Sequence, residues 1–527
     1  MTSLSGRVRD AAIVGLLCLS LAAWYGGLAW LSIACWVASA LLMWSGDVSR
    51  NAWWYAATLP FQLPQSALLA RVATADLFML PLLGRECVAA MKHGIRVPRT
   101  TLALPIASLV VVFAVATIVG YFRMGHVSWW ALLNKDAGLL LLAGTTLVLV
   151  RMIRTLEDAT RLARWFVGGV GVANITSLIA TVAAFAGYSN SLYMVDNGRL
   201  YGWMLNPSVN GGLLFSAAMI EMAVLMRPGA PGEQRAWRWA NVWFMALGLA
   251  LTLSRSAWLS AATGAAVLFA AAAVHASRTR EWRAPQLTAV AVWLVLPVLV
   301  FAGIVRARGG VEVRQPEQQA ASLQAHLVKQ CASHPTLEYC RELQAPAPPP
   351  VGSRAPADAA ATPNPSTEAV PPVDPAGPLT NTRGLNDRVA IASAGLTAYR
   401  RDVPSLLLGI GLGTFYATSA ATFGVPLIIH NTFIWFLVEL GPIGLMVLLW
   451  FWGRTIVNLW VAAFTRNGGE YLAYGAMAAL AGLTMFCLLN EGFYQRQLWL
   501  VVALADRLHW LATASRAPAT PSEASAA

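Results

Sequence analysis

The chain has 527 residues, of which 57% are hydrophobic and only 12% charged, about half the roughly 25% charged content of soluble domains. Its apolar residues gather in long runs, which excludes a soluble enzyme or binding module and makes it a polytopic membrane protein. The formal net charge of +12 sits in short clusters between those runs, as cytoplasmic membrane loops require, and no long basic stripe or recognition motif speaks for a nucleic-acid partner.

Arg7-Val-Arg9-Asp10 precedes an apolar stretch from Ala11 to Trp44, interrupted at Tyr25-Gly-Gly27. It is too long for the apolar core of a signal peptide, and no convincing small-residue cleavage site follows. It reads as a first membrane hairpin or one long tilted helix. A further apolar segment runs from about Val72 to Met91. Beyond it, basic loops at Lys92–Arg99, Arg151–Arg164, Arg227–Arg238, Arg278–Arg283 and Arg454–Arg466 mark the cytoplasmic side. Between them, spans are predicted at about 101–122, 137–150, 165–187, 208–226, 242–254, 256–274, 287–304, 430–452, 471–489 and 498–513. This orientation needs an even number of crossings in the first hundred residues. Two crossings there give about twelve spans, four is the alternative, and both termini are cytoplasmic.

The expected architecture is all-α, a polytopic membrane helix bundle with an N-terminal part over 1–304 and C-terminal helices over 430–513. A large non-cytoplasmic insertion over 305–429 separates them, and a disordered cytoplasmic tail over 514–527 follows. Within the insertion, residues 345–380 form a linker whose centre, Ala345 to Pro378, is too rich in Pro and Ala to bury a core. Cys331 and Cys340 lie just before it; in an oxidising compartment they can close a short loop, and otherwise they are two free thiols. The six cysteines have no metal-ligand spacing, and Cys18, Cys35, Cys87 and Cys487 sit in apolar segments as expected packing residues. After the linker, an amphipathic helix from Asn386 to about Asp402 offers Val389, Ile391, Leu396 and Tyr399 to the membrane surface.

Four places carry polar residues suited to chemistry. Arg199, in Gly198-Arg-Leu-Tyr-Gly202 before Asn206-Pro-Ser-Val-Asn-Gly211, lies at an outer helix start, where a capping turn with a surface arginine is the simpler reading. Arg255 stands in Leu251-Thr-Leu-Ser-Arg-Ser-Ala-Trp-Leu-Ser260. At mid-bilayer it would cost about 2.5 to 3.5 kcal/mol or more, so two helices are expected to meet near it at the outer surface. It then faces an anion or snorkels at a helix turn. Arg388, in Asn386-Asp-Arg-Val-Ala-Ile391, opens the stretch leading to Leu408-Gly-Ile-Gly-Leu-Gly-Thr-Phe415. No strand precedes these glycines, so they point to close backbone approach to a ligand or helix rather than to a nucleotide fold. Asp387 fits as a helix N-terminal charge. Glu491, Tyr494, Gln495 and Arg496 form a last polar cluster, read as structural.

The fourth place is His430 and Asn431, at the mouth of an apolar segment that continues to about Trp452, long enough to cross a bilayer at ~1.5 Å per residue. On one helix Gly441 and Gly444 would fall roughly 20° and 40° from the azimuth of His430. That face would carry an imidazole at one end and bare backbone for close packing below. An interfacial histidine can also be a plain helix cap.

His-Asn, nine residues, Gly, two residues, Gly resembles the signature of the O-antigen ligase and O-antigen polymerase superfamily of membrane glycosyltransferases, which includes protein O-oligosaccharyltransferases. Ser254-Arg255-Ser256 resembles that superfamily's arginine between consecutive spans. Arg388 with the glycine-rich segment, and Arg199 with Asn206-Pro207, are similar to two further elements; Ser208-Val209 departs from the more usual Asn-Pro-Asn order. The resemblance is closest to O-antigen ligase. It implies glycan transfer from undecaprenyl pyrophosphate to lipid A-core oligosaccharide on the periplasmic side of a bacterial inner membrane, with inversion at the anomeric centre. A polymerase would use another lipid-linked repeat as acceptor, and a protein transferase Ser or Thr.

Physical chemistry assigns roles within that reading. Guanidinium forks at Arg199, Arg255 and Arg388 chelate the departing diphosphate, and His430, with an ordinary pKa of about 6.5, accepts the acceptor proton. Asn431, Gly441 and Gly444 support them. No Asp, Glu or His cluster has metal spacing on the outer side, so the reaction is expected to need neither metal nor cofactor. From another class, a lipid-linked glycan transporter would use such arginines without bond making, although the chain shows no internal repeat.

Overall fold

The computed structural model describes residues 2–25, 28–44, 48–61, 74–94, 99–185, 195–196, 199–204, 206–227, 232–279, 385–423 and 427–514. The predicted span at 287–304, Cys331, Cys340, the 345–380 linker and the 515–527 part of the tail lie outside the described residues. The protein is an all-α bundle. In chain order its helices are α1 (Thr2–Tyr25), α2 (Ala29–Trp44), α3 (Val48–Thr58), α4 (Thr74–His93), α5 (Ala103–Met124), α6 (Trp129–Met152), α7 (Leu156–Phe185) and α8 (Pro207–Leu225). They continue with α9 (Gly232–Leu251), α10 (Arg255–Thr279), α11 (Leu385–Tyr399), α12 (Val403–Leu408), α13 (Thr414–Phe423), α14 (Thr432–Ala463), α15 (Glu470–Leu489) and α16 (Arg496–Ala514). A short antiparallel pair, β1 (Val195–Asp196) and β2 (Arg199–Leu200), precedes α8.

Among the described residues seven helices, α5 to α8, α10, α14 and α15, are long and apolar enough to cross a membrane. The chain is therefore a multi-pass membrane protein. The helices of the first hundred residues, with α9 and α16, join the bundle without meeting that measure.

Local sequence sets the helix ends. Thr155 and Asp158 cap α7 reciprocally: the Thr155 amide donates to Asp158 Oδ2 at 2.9 Å and the Asp158 amide to Thr155 Oγ1 at 3.1 Å. Gly125 closes α5 at φ 72°, a left-handed terminus that glycine adopts without strain. Helix α8 is the centre of the bundle, buried over most of its length, and packs on α7, α9, α10 and α15. Small residues let α10 and α15 approach closely: a Cβ on Gly264 would lie 2.8 Å from the Ala478 carbonyl, and one on Gly482 2.7 Å from that of Ser260.

Helix α14 is broken. Gly441 has φ 73° and ψ −177°, and Pro442 follows it, so the uninterrupted face expected from His430 to Gly444 does not form. Proline has no amide for the Val438 carbonyl. That carbonyl instead accepts from the Ile410 amide at 2.8 Å, and the Glu439 carbonyl from the Gly411 amide at 3.1 Å. The glycine-rich segment thus fills the break, and Leu412 donates onward to the Ala116 carbonyl of α5 at 2.9 Å. Gly409, Gly411 and Gly413 all have positive φ; the first two approach backbone of α14 and α5, and the third the side chains of Ser128 and Ala131 at the start of α6.

Helix α11 also differs from expectation. Ile391 is 3% exposed, a Cβ on Gly395 would meet Ile429 at 2.8 Å, and Leu396 and Tyr399 pack on the core while Val389 stays exposed. Its apolar stripe faces the protein because α14 and the chain before it supply an apolar partner that a membrane surface was expected to provide. Among the cysteines Cys35 and Cys487 are buried, but Cys18 and Cys87 face outward; sequence position inside an apolar segment does not fix which side of the helix is packed.

Candidate active site

His430 is half-buried and stands one residue before the N-cap of α14. Asn431 is that cap: its Oδ1 accepts from the Phe433 and Ile434 amides, both at 3.0 Å. Its Nδ2 donates to the Leu488 carbonyl at 2.8 Å. Next to it, Thr432 Oγ1 donates to the Asn490 carbonyl at 3.2 Å and accepts from the Gly492 amide at 3.0 Å. Arg388, near the start of α11, donates to the Leu489 carbonyl at 2.8 Å. The carbonyls of Leu488 and Leu489 belong to the last turn of α15, where intrahelical donors run out. Arg388 and Asn431 supply donors in their place, and a cation at this negative helix pole is favourable. Burial pushes the Arg388 guanidinium below its ordinary value, but an arginine stays cationic at any physiological pH.

Arg199 and Arg255 form a second group. Arg199, on β2, directs its Nε to the Thr252 carbonyl at 3.3 Å. Thr252 lies between α9 and α10 beside Leu253, whose φ of 50° makes it the non-glycine residue with left-handed backbone among those described. That bend ends one helix at Leu251 and starts the next at Arg255, which is exposed. Ser254 Oγ lies 2.9 Å from Ser208 Oγ and 3.1 Å from Ser256 Oγ, so the starts of α8 and α10 are adjacent. Asn206 caps α8, accepting from the Ser208 and Val209 amides at 2.9 and 3.1 Å. Arg255 at a helix N-terminus opposes the usual placement of charge. Positive helix pole and guanidinium together favour an anion there.

The two groups lie at one end of the bundle. Helices α10 and α15 run antiparallel, with Gly264 against Ala478 and Ser260 against Gly482. One more turn brings Ser256 level with Phe486, and hence Arg255 towards the end where Leu488 and Leu489 hold Asn431 and Arg388. Gly441 and Gly444 belong to neither group: the first receives the glycine-rich segment, and a Cβ on the second would lie 3.3 Å from Val112 of α5. Among the described residues no group of three or more His, Cys, Asp or Glu is placed to hold a metal ion.

Sequence reasoning passed over two buried charges beside this end. Lys135, on a π-helical turn (Leu132–Asp136) inside α6, is 3% exposed and pairs with Glu491. Glu439 is 2% exposed; it accepts from Trp435 Nε1 at 2.7 Å and from the Gly413 and Phe415 amides at 3.2 and 3.3 Å. Tyr494 donates to the Lys135 carbonyl at 3.2 Å. Burial pushes its hydroxyl well above the ordinary value, with the Asp136 and Glu439 carboxylates adding to the effect. The signal that could have found Lys135 and Glu439 is simple: each is an ionisable residue inside an otherwise apolar run, which needs a partner. Set against known protein families and against curated proteins, the chain matches none.

Proposed function

We propose that the chain is a membrane glycosyltransferase that moves a glycan from a polyprenyl pyrophosphate to an acceptor hydroxyl at the His430 end of the bundle. The acceptor oxygen forms a bond to the anomeric carbon, its proton passes to His430, and the bond from that carbon to the diphosphate oxygen breaks. One displacement of this kind inverts the anomeric centre. The leaving diphosphate carries the developing charge, and preorganised guanidinium groups stabilise it without reorganisation. The lipid tail remains among apolar helices while head and sugar project from the membrane.

The observation that carries the reading is the seating of Arg388 and Asn431 on successive carbonyls at the end of α15. It ties the Arg388 guanidinium and the residue next to His430 to one helix end, the end towards which Arg199 and Arg255 also lie. The O-antigen ligase resemblance sharpens this to an undecaprenyl-linked O-antigen donor and a lipid A-core acceptor in the periplasm. The test is transfer by purified protein in detergent, with lipid-linked donor and, in parallel, lipid A-core, a second lipid-linked repeat, or a Ser/Thr peptide. Product is expected with lipid A-core, unaffected by chelator and abolished by His430→Ala in folded protein. Movement of donor across a bilayer without glycan transfer would replace the proposal with a transporter.

A further inference from the structure

The carbonyls of Leu488, Leu489 and Asn490 hold Asn431, Arg388 and Thr432, so the precision of the proposed site depends on what fixes residues 488–492. A helix end followed by a loop does not hold its own position. The residue after those carbonyls, Glu491, is paired with Lys135. The Lys135 ammonium lies 5.1, 4.4 and 4.8 Å from the ring centres of Trp130, Trp435 and Tyr494. Tyr494 closes the clamp from the loop side through its hydrogen bond to the Lys135 carbonyl, and Glu439, the acceptor for the glycine-rich segment, lies within electrostatic reach of the same ammonium.

We infer that Lys135 is a positioning residue for the transfer site: through Glu491 it fixes the 488–492 carbonyls that aim Arg388 and Asn431. The inference rests on the proposed transfer for its kinetic consequence but not for its structural one. Four features place the lysine for this task. A π-helical turn is an uncommon device that re-aims side chains. The three rings hold a cation rather than a neutral group. Lys135 is buried and Glu491 half-buried, so the pair adds little stability over apolar residues of similar volume, and specificity of geometry is what such a pair offers. Finally, it links α6 to the loop before α16 at the point where that loop meets α14.

The test uses the full chain in detergent, with Lys135→Met, Glu491→Gln, Lys135→Arg and the double variant Lys135→Met/Glu491→Met. Amide exchange over residues 486–493 is expected to speed up by about tenfold in the first two and in the double variant. Donor KM is expected to rise by about tenfold in the same three, as Arg388 loses its aim. Lys135→Arg keeps wild-type exchange and KM because a guanidinium also sits over aromatic rings, and the folded fraction of every variant is followed in parallel. Unchanged exchange in Glu491→Gln, the substitution closest in shape, overturns the inference. So does a fall in kcat that follows the folded fraction at constant KM. If the wild type transfers no glycan, exchange alone decides, and the failure of the proposed reaction is told apart from the failure of the clamp.

Discussion

Gly441→Ala should be among the most damaging small substitutions in α14, and its cost can be worked from the backbone. At φ 73° and ψ −177° the residue occupies a region essentially restricted to glycine, about 1 to 3 kcal/mol above an allowed conformation for alanine. The added Cβ would lie 2.6 Å from the Gly409 nitrogen and 2.7 Å from the Leu407 oxygen. Backbone atoms cannot rotate away, so overpacking adds about 1 to 3 kcal/mol. Relief by moving the glycine-rich segment would strand the Val438 carbonyl, since Pro442 cannot replace the Ile410 donor. The total is ~2 to 6 kcal/mol, a large fraction of an ordinary stability. Gly453 is the internal control: it lies on the same helix, with open space at its Cβ, and alanine there should be neutral or stabilising by up to about 1 kcal/mol. Intrinsic fluorescence from the 22 tryptophans can follow unfolding of both variants in micelles. A Gly441→Ala midpoint indistinguishable from that of Gly453→Ala would refute the break and its filling.

Three other perturbations separate the parts of the site. Asn431→Asp keeps the cap oxygen but turns an acceptor towards the Leu488 carbonyl in place of the donor; that contact is exposed, so water softens the cost to about 0.5 to 1 kcal/mol. Asn431→Ala loses the cap as well, about 1 kcal/mol more, and equal midpoints for the two would show that Asn431 does not cap α14. Arg388→Lys keeps the charge but cannot hold the Leu489 carbonyl and an anion with one planar fork, so donor KM should rise by about tenfold; wild-type donor kinetics would remove Arg388 from the anion site. Asp402, bound by Arg123 at 2.9 and 3.2 Å and by Ser405, is held below the ordinary carboxylate range by those hydrogen bonds. Its contribution to anchoring α12 is therefore complete above the unfolded value of about 3.9 and is lost only as pH falls through the lower folded value. Amide protection of α12 should be flat from neutral pH down to about 5 and fall in stronger acid; loss already near pH 6 would assign the anchoring to another group.

Much of the bundle was legible because bilayer-length apolar runs and short-range end signals are local. Asn431 and Asn206 cap helices where their side chains reach amides two and three residues on, a pattern visible in the chain itself. The bend at Arg255 was legible from the cost of a mid-bilayer charge. The break at Gly441 was not, because a glycine and proline in an apolar run are also compatible with a kinked but continuous helix. What decides the geometry is the Ile410 and Gly411 amides, which come from another part of the chain. The same holds for Lys135 and Glu491: 356 positions separate residues 135 and 491 in the 527-residue chain, so neither carries a local mark of the other. Helix α11 shows the limit of amphipathicity, since an apolar stripe says that something covers it and not what.

The electrostatics of helix ends explain why Arg388 sits where it does. The N-termini of α8, α10 and α14 open at the His430 end and each brings a positive pole there, those of α8 and α14 under an asparagine cap. Helix α15 ends there with the opposite polarity, and a bare negative pole would weaken the attraction of those N-termini for the proposed diphosphate. Arg388 and Asn431 cover its last carbonyls with donors. The guanidinium goes further than the amide, because a planar fork can hold a carbonyl at one corner and offer another edge to an anion. A lysine at 388 could cancel the pole or meet the anion, but one point charge serves two directions poorly. Restoring donor KM in Arg388→Lys by weakening the pole is therefore not expected. Shifting the Leu489 carbonyl through Glu491→Gln should instead add little to the defect already present in Arg388→Lys, since both changes act on one contact. Fully additive losses in that double variant would mean that Arg388 is aimed by something other than the end of α15.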